Sequence, residues 1–311
     1  MENFADFIIE YIENNDIHGI KGWLNQLHAY QWEANSRIER YPDAIVTTKK
    51  FNAESQAILK TPNNDEKWFH LCDEIRKWGG MKKVPMELAV SYRNSVIYLS
   101  KCNPDIDCDF STLTIRGDRI ATASKIYYYA DPWHWTIYDS RVAYAFHQLM
   151  FEYSRKLQVA PTSLFPKIPL CLPDSQTDRR NPVFKISRCY FSETKSKGSF
   201  IWASHLHRII AKRLNESSIL KPSHSLSSTP QWELPHIEMV FFVIGDRKWI
   251  TAPDISAQEN PEIPSRKRGD IVGLCPRCGY PVKIRESRKT GELYEGCTNY
   301  PACSYKGNRS H

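Results

Sequence analysis

The sequence lacks the features that mark several large classes of protein. No apolar stretch approaches the roughly 18 residues that a membrane span requires, and residues 1–10 carry acids where a secretory leader carries basic residues. It also has no phosphate-binding loop, no GxSxG motif and no set of spaced carboxylates typical of a nuclease. We therefore expect a protein of the cytoplasm that has no membrane partner and belongs to none of these enzyme classes.

The sequence also lacks a disulfide framework. Of its nine cysteines, four are crowded near the C-terminus and the other five are scattered through the chain. Free thiols are typical of a reducing compartment, where they bind metal or are buried as small hydrophobic groups. The scattered cysteines are Cys72, Cys102, Cys108, Cys171 and Cys189.

The positive charge is concentrated at the C-terminal end. The whole chain of 311 residues has a net charge of +7, but residues 265–311 alone contain ten Lys or Arg and only four acids. A short basic module usually binds a polyanion, although a solvated tail can be basic without binding anything. The first interpretation is the one we prefer.

Most of the chain is predicted to be helical. Residues 85–100 have an apolar stripe at helical spacing, and residues 113–130 and 140–153 are predicted to form two helices joined by residues 131–139. Pro132 ends the first of these helices, and Asp139 is a natural N-cap for the second. Residues 200–214 are also helical in pattern. The apolar stripe of 85–100 consists of Leu88, Tyr92, Val96 and Leu99.

Several segments without helical pattern divide the chain. Residues 160–181 and 215–230 are rich in Pro or Ser and are predicted to be surface loops, and the apolar segment 236–244 is predicted to close the core. Residues 251–270 contain three Pro and little apolar content, which is typical of a linker. We therefore predict a mainly α domain over residues 1–250, a linker over 251–270 and a small β domain over 271–311.

The four C-terminal cysteines have the spacing of zinc ligands. Cys275 and Cys278 form a CxxC turn with Gly279 directly after it, and Cys297 and Cys303 follow 18 residues later. A module of about forty residues rarely builds a stable core without a metal or a disulfide. The sequence predicts one structural Zn²⁺. Four thiolates leave no open position for catalysis.

The same segment resembles the four-cysteine zinc ribbon at the C-terminus of bacterial type IA DNA topoisomerases. The resemblance covers about 35 residues, from Cys-Pro-Arg-Cys-Gly at 275–279 to Cys-Thr-Asn-Tyr-Pro-Ala-Cys at 297–303. In that family the ribbon binds single-stranded DNA through aromatic stacking and basic residues, so the resemblance implies DNA as the partner, in single-stranded or distorted form. The residues here that match those roles are Tyr294, Tyr300, Tyr305, Lys283, Arg285 and Lys306.

A second resemblance concerns the large domain. Ile-Ala-Thr-Ala-Ser-Lys-Ile at 120–126, Pro132, and Ile-Tyr-Asp-Ser-Arg-Val at 137–142 resemble the core of the helix-hairpin-helix DNA glycosylases. In that family an Asp at the start of a helix stabilises the positive charge that develops on the sugar as the base leaves, and the matching residue is Asp139. The family's hairpin loop holds a DNA phosphate on its backbone amides, and the corresponding residues 115–119 depart from the family's pattern. Here Arg116 or Arg119 would make the phosphate contact.

The position of the lysine favours a glycosylase without a lyase step. Members of the family that cut the strand place a Lys one helical turn before the small residues, near Ala121, whereas Lys125 lies one turn later. Lys125 is therefore a second catalytic candidate, which could form a Schiff base only if the geometry shifts. Aromatic residues around Asp139 could hold an extruded base, and Arg141 lies two residues after the Asp. The candidates for base binding are Trp133, His134, Trp135 and Tyr138.

Two interpretations of these residues remain open. Asp139 can be a helix cap without chemistry, in which case the protein is a non-catalytic DNA-binding protein that uses the ribbon for single-stranded DNA. Alternatively it is a DNA glycosylase that excises a damaged or modified base, in repair or in defence against foreign DNA, close to the nucleoid of a prokaryotic cell. We expect the second, and the sequence leaves the oligomeric state open.

Overall fold

A computed structural model of the chain divides it into two units. The first comprises residues 1–187 and 191–250, and the second comprises residues 188–190 and 251–311. The predicted loop 160–181 and the predicted linker 251–270 lie outside the described residues, so the domain boundaries remain predictions. The structure describes residues 1–34, 37–62, 64–101, 113–115, 120–159, 193–246, 271–274, 281–287 and 293–297.

The first unit is mainly helical, which confirms the predicted fold class. Its helices surround one core of buried apolar and aromatic side chains. None of the helices within the described ranges is both long and apolar enough to cross a membrane. The helices are α1 (Glu2–Asn14), α2 (Trp23–His28), α3 (Tyr41–Leu59), α4 (Asp65–Trp78), α5 (Met86–Leu99), α6 (Ile120–Ala130), α7 (Ser140–Leu157), α8 (Glu193–Glu216) and α9 (Leu234–Ile244).

Two short antiparallel hairpins interrupt the N-terminal helices. One joins β1 (Asp16–Ile17) to β2 (Ile20–Lys21), and the other joins β3 (Gln31–Ala34) to β4 (Arg37–Arg40). The tight turn of the first hairpin is possible because Gly19 adopts a φ of +81°. The sequence pattern did not predict either hairpin, since strands of two to four residues are too short to show an alternation of apolar and polar residues.

Helix α6 is shorter than predicted. It begins at Ile120, whereas the pattern predicted a helix from residue 113. Leu113 and Ile115 are buried without helical structure, and the segment between them is held by hydrogen bonds: Ser95 Oγ accepts from the Thr114 N–H at 3.0 Å, and Tyr127 Oη donates to the Thr114 carbonyl at 2.8 Å. These contacts with α5 and α6 satisfy the backbone polar groups that a helix would otherwise satisfy.

The other predicted helices are close to those observed. Helix α5 has all four residues of its predicted stripe buried, and α8 extends the predicted 200–214 at both ends. Helix α7 begins directly after Asp139, as the cap prediction required, and runs four residues beyond its predicted end. The predicted apolar segment 236–244 lies within α9, whose residues are all buried, so that helix is part of the core.

A glycine allows α9 to approach the start of α7. A Cβ at Gly245, directly after α9, would lie 1.8 Å from the carbonyl oxygen of Arg141, in the first turn of α7. That distance is far inside van der Waals contact and involves backbone, so a larger residue would force the two helices apart. The close approach brings side chains of α9 beside those at the N-terminus of α7.

The second unit contains a small antiparallel sheet. Its strands are β5 (Ile271–Leu274), β6 (Pro281–Glu286) and β7 (Leu293–Cys297), with β6 in the middle. The pairing of β6 with β7 agrees with the hairpin predicted between the two cysteine pairs, while its predicted turn at 289–291 lies outside the described residues.

Candidate active site

The carboxylate of Asp139 caps helix α7. Asp139 has an extended backbone, and its Oδ1 accepts hydrogen bonds from the N–H groups of Arg141 at 3.0 Å and Val142 at 3.3 Å. An N-cap of this kind satisfies N–H groups that the helix itself leaves unpaired. The capping role is therefore real, but it uses only one of the two carboxylate oxygens.

The second oxygen of Asp139 faces a buried lysine. Lys125 Nζ lies 3.4 Å from Asp139 Oδ2, although the two residues are 14 positions apart on different elements. Ser124 brings them together, because its Oγ accepts from the Tyr138 N–H at 3.0 Å and lies 3.3 Å from the Tyr138 carbonyl oxygen. These contacts fasten the segment that leads into Asp139 against helix α6.

The ion pair is almost removed from solvent. Asp139 is 7% exposed and Lys125 is 3% exposed. Their separation is longer than an ordinary N–H···O hydrogen bond, so the attraction between them is largely electrostatic. Burying either charge alone would cost roughly several kcal/mol. Each of the two side chains can therefore be buried only because the other is buried beside it.

The charges around Asp139 keep it ionised. Burial by itself would raise the pKa of Asp139, but the positive charges of Lys125 and Arg141 and the hydrogen bond from the Val142 N–H hold the pKa below its ordinary value. The site therefore contains a carboxylate that is negative at neutral pH in surroundings that are nearly dry. Such a group can stabilise a positive charge that develops close to it.

Aromatic rings lie against the cations of the site. Trp32, from β3, has Lys125 Nζ 5.6 Å and Arg141 Cζ 5.2 Å from its ring centroid. Phe242, from α9, lies 4.5 Å from Arg141 Cζ and meets Trp32 edge-on at 5.4 Å. The guanidinium of Arg141 is therefore placed by cation–π contacts with both rings.

A buried glutamate fixes the β3–β4 hairpin beside this site. Glu39, in β4, accepts a hydrogen bond from Trp78 Nε1 at 2.6 Å and another from the hydroxyl of Thr47. The ring of Trp78 stacks on Trp32 at 5.6 Å, and the Trp32 Nε1 donates to the Trp78 carbonyl at 3.3 Å. The hairpin thus holds Trp32 against α4 and next to Lys125.

A second buried acid, Glu238, lies near the ion pair. It is on α9, one helical turn before Phe242, and it is 3% exposed. Burial raises the pKa of Glu238 to about 8, and the negative charge of Asp139 adds to that effect, while Lys125 and Arg141 oppose it. Glu238 is therefore harder to ionise than an exposed glutamate, whereas its neighbour Asp139 is easier to ionise.

The predicted site residues fall into different places. Asp139, Lys125 and Arg141 come together, whereas Trp135 and Tyr138 are buried, with Trp135 stacked on Phe200 at 5.5 Å. These two rings belong to the packed core. Trp135 is buried although it lies in a turn, because helix α8 covers it. A base could reach them only if the core opened.

The two residues before Trp135 lie at a turn. Trp133 is 46% exposed, and His134 Nδ1 lies 2.8 Å from Asp131 Oδ2. Arg208, on α8, donates to the His134 carbonyl at 2.7 Å. Arg116 and Arg119 lie outside the described residues, so their predicted phosphate contacts remain predictions.

Sequence reasoning missed Trp32, Phe242 and Glu238. Trp32 and Phe242 are about a hundred residues from Asp139 on either side, and no local pattern connects them to it. Glu238 did carry a signal, since it is the single acid in the apolar helix Leu234–Ile244. A charged residue in a wholly buried helix requires a partner or a function.

In the second unit, the described residues include one of the four predicted zinc ligands. Cys297 is 1% exposed at the end of β7, and its carbonyl accepts from Arg285 Nη2 at 3.0 Å. Lys283 is exposed on β6, and Tyr294 pairs with Arg285 across the sheet. The predicted ligands Cys275, Cys278 and Cys303 and the predicted DNA-binding residues Tyr300, Tyr305 and Lys306 lie outside the described residues.

Comparison with known proteins finds similarity over a short segment. A stretch of 39 residues is 46% identical to DNA topoisomerase 1 of Archaeoglobus fulgidus, covering 12% of this chain and 6% of that protein. Stretches of 33 and 34 residues are 42% and 44% identical to DNA topoisomerase 1 of Pyrococcus horikoshii and of Pyrococcus furiosus. Each covers 11% of this chain, and 5% and 3% of those proteins, respectively.

The chain therefore contains a topoisomerase-like segment, as predicted, and spans only a small fraction of the length of these relatives. No protein-family model matches the chain, and no solved structure matches it. The resemblance of the large domain to glycosylases remains a prediction from its residues.

The buried pair predicts a coupled effect on stability. Replacing Asp139 by Asn keeps a cap acceptor but leaves Lys125 without its counter-charge, and Lys125→Met leaves Asp139 without a cation. We expect each single variant to lower the free energy of unfolding by about 2–4 kcal/mol, and the double variant to lose about 1–3 kcal/mol less than the sum. Urea denaturation of the four proteins measures this coupling.

The pH dependence follows from the lowered pKa of Asp139. Ionised Asp139 stabilises the folded protein at pH values above its ordinary pKa of 3.8, and this stabilisation is lost as the pH falls through the lower pKa that Asp139 has in the folded state.

The coupling between Asp139 and Lys125 has a contradicting outcome. If the losses of the two single variants simply add in the double variant at neutral pH, the two side chains do not interact.

Proposed function

We propose that this protein binds DNA and removes one kind of damaged or modified base by cleaving its N-glycosidic bond. The observation that carries the proposal is the carboxylate of Asp139, kept ionised in a nearly dry site by Lys125, Arg141 and the backbone of α7. A helix cap alone needs neither a buried lysine nor aromatic rings around it.

The chemistry requires a negative charge at a particular place. As the bond between base and sugar breaks, positive charge develops on the sugar, and a preorganised carboxylate stabilises that charge most strongly where water is excluded. The base must leave the helical stack to reach such a site, and because Trp32 and Phe242 are buried, the first unit would have to open locally to admit it. Asp139 would supply the electrostatic stabilisation.

The ion pair favours a hydrolase without strand cleavage. A lyase step needs a lysine amine that is free to attack the sugar, whereas Lys125 Nζ is engaged in an ion pair with Asp139 at 3.4 Å. The expected product is an abasic site in an intact strand. Lys125 is then a positioning residue, which sets the charge and place of Asp139.

DNA binding is proposed on the second unit. The relatives that match a short segment of the chain are named DNA topoisomerases, and residues 265–311 are strongly basic. The four cysteines would hold one zinc ion, and Lys283, Tyr294 and the residues beyond the described strands would contact a DNA strand. This unit would hold the first one close to its substrate.

The proposal is tested by an assay for abasic sites. The purified chain is incubated with single- and double-stranded DNA that carries different damaged or modified bases, and the products are treated with alkali to reveal abasic sites. We expect one class of substrate to yield abasic sites, and Asp139→Asn to lower the rate by about 10²–10³ through the loss of electrostatic stabilisation. No cleavage is expected before alkali.

Asp131→Asn is the matched control, since Asp131 is a nearby acid whose partner is His134 rather than Lys125. It should retain the activity of the wild type. Failure of every substrate to yield abasic sites, or equal activity in Asp139→Asn, would leave the non-catalytic DNA-binding protein as the function that the topoisomerase-like segment favours.

The zinc proposal predicts a metal content. We expect one zinc per chain by elemental analysis, loss of that zinc in Cys278→Ser, and its retention in Cys72→Ser, since Cys72 is buried in the core of the first unit. Removal of zinc should also abolish salt-dependent affinity for single-stranded DNA. A zinc-free native chain, or unchanged DNA affinity after zinc removal, would contradict the ribbon.

A further inference from the structure

The buried pair of Lys125 and Asp139 is covered by elements that differ in how firmly the core holds them. Every residue of α9 is buried, and in α6 every residue except Ala121 is buried. Helix α9 also lies so close to the start of α7 that a Cβ at Gly245 would overlap the carbonyl oxygen of Arg141. Outward movement of these helices would therefore disrupt the packed core of the first unit.

The β3–β4 hairpin differs from the helices that cover the pair. Of its described side chains, only those of Trp32 and Glu39 are buried. The exposed ones among them are Glu33, Arg37, Ile38 and Arg40. A two-stranded hairpin is at best marginally stable by itself in water, so the contacts of its two buried side chains largely determine whether it stays in place.

Trp32 is the side chain of the hairpin that covers the ion pair. Its ring centroid lies 5.6 Å from Lys125 Nζ and 5.2 Å from Arg141 Cζ. The same ring stacks on Trp78 at 5.6 Å, and its Nε1 donates to the Trp78 carbonyl at 3.3 Å. If the hairpin moved outward, the ring of Trp32 would leave both cations of the site.

Glu39 fastens the second strand of the hairpin. Its side chain accepts hydrogen bonds from Trp78 Nε1 at 2.6 Å and from the hydroxyl of Thr47, and the residue is 1% exposed. A buried carboxylate that loses its donors is costly, so these two hydrogen bonds favour the closed position strongly. Both must break before the hairpin can leave α3 and α4.

The chain on both sides of the hairpin is held in the core. Tyr30 meets Phe242 edge-on at 5.2 Å. The hydroxyl of Tyr41 donates to the His224 carbonyl at 3.0 Å and accepts from the His224 N–H at 3.0 Å. Residues 31–40 can therefore move between two fixed ends while the contacts of the core are kept.

We infer that the β3–β4 hairpin is a lid over the site of Lys125 and Asp139, and that it opens while the helices of the first unit remain folded. Trp32 closes the site, and Glu39 is the latch that holds the lid shut. The inference rests on the proposed function only for the purpose of the opening, which is to admit a nucleotide to Asp139. The opening itself is a property of the chain without DNA.

The test separates opening of the hairpin from unfolding of the whole unit. Glu39→Met keeps the length of the side chain but has no acceptor for its two donors, so it should weaken the latch. Ile8→Val, in the core on α1, removes one buried methylene outside the hairpin and should lower global stability alone. Both variants are made in the full chain, and circular dichroism verifies that they are folded.

The two variants are compared with the wild type by amide hydrogen exchange and by acetylation of lysines with a water-soluble ester. Mass spectrometry follows the exchange of residues 31–40 and of α9, and the acetylation of Lys125 at a low extent of reaction. Exposed Lys60 is the internal control for the reagent, because its rate does not depend on any opening.

We expect Glu39→Met to raise the exchange rate of residues 31–40 and the acetylation rate of Lys125 at least about tenfold, as the loss of a hydrogen bond to a charged group implies. Ile8→Val should leave both rates unchanged. Exchange in α9 should become faster in both variants, because it requires global unfolding, whose free energy both substitutions lower.

Two results would overturn the inference. One is a rise in both rates in Ile8→Val equal to that of α9, since the hairpin would then open only with the whole unit. The other is wild-type rates in Glu39→Met. If that variant does not fold, Thr47→Val, which removes one donor to Glu39, should show a smaller rise in both rates, and unchanged rates would count against the lid.

These measurements involve no DNA and no bond cleavage, so they are independent of the proposed reaction. A chain whose hairpin opens in this way but which yields no abasic sites would keep the lid and refute the glycosylase. A chain that yields abasic sites while Lys125 reacts only through global unfolding would refute the lid alone.

Discussion

The buried attraction between Lys125 and Asp139 is the constraint on which the rest of the site depends. Neither charge could be buried alone, so helix α6 and the start of α7 must meet with both side chains in place. Ser124 holds the intervening chain, the N–H groups of α7 satisfy one carboxylate oxygen, and Gly245 lets α9 approach. Each of these contacts would be an isolated detail without the pair.

The two acids of the site acquire different properties from one environment. Two cations and backbone donors hold the pKa of Asp139 below its ordinary value, whereas burial and the charge of Asp139 raise the pKa of Glu238. Opposite pKa shifts of two neighbouring acids are found more often at functional sites than elsewhere in a protein.

The sequence predicted what depends on local pattern. Periodicity located helix α5, and the Pro–Asp segment located the start of α7, because stripes and caps are set by neighbouring residues. It could not place Trp32 or Phe242 beside Asp139, since those contacts arise only when distant elements pack. The same limit explains why Trp135 and Tyr138, which were candidates for base binding, are buried in the core, with Trp135 against Phe200 of α8.

The central claim is that Asp139 stabilises positive charge on a DNA sugar, and the most direct test is a comparison of two inhibitors. One DNA duplex carries a pyrrolidine, a cation at the position of the sugar, and the other carries the neutral tetrahydrofuran analogue. At fixed salt, the wild type should bind the pyrrolidine duplex at least about 100-fold more tightly, as expected for a transition-state mimic, and Asp139→Asn should lose most of that preference. Equal affinity for the two duplexes, or a preference that persists in Asp139→Asn, would contradict the account.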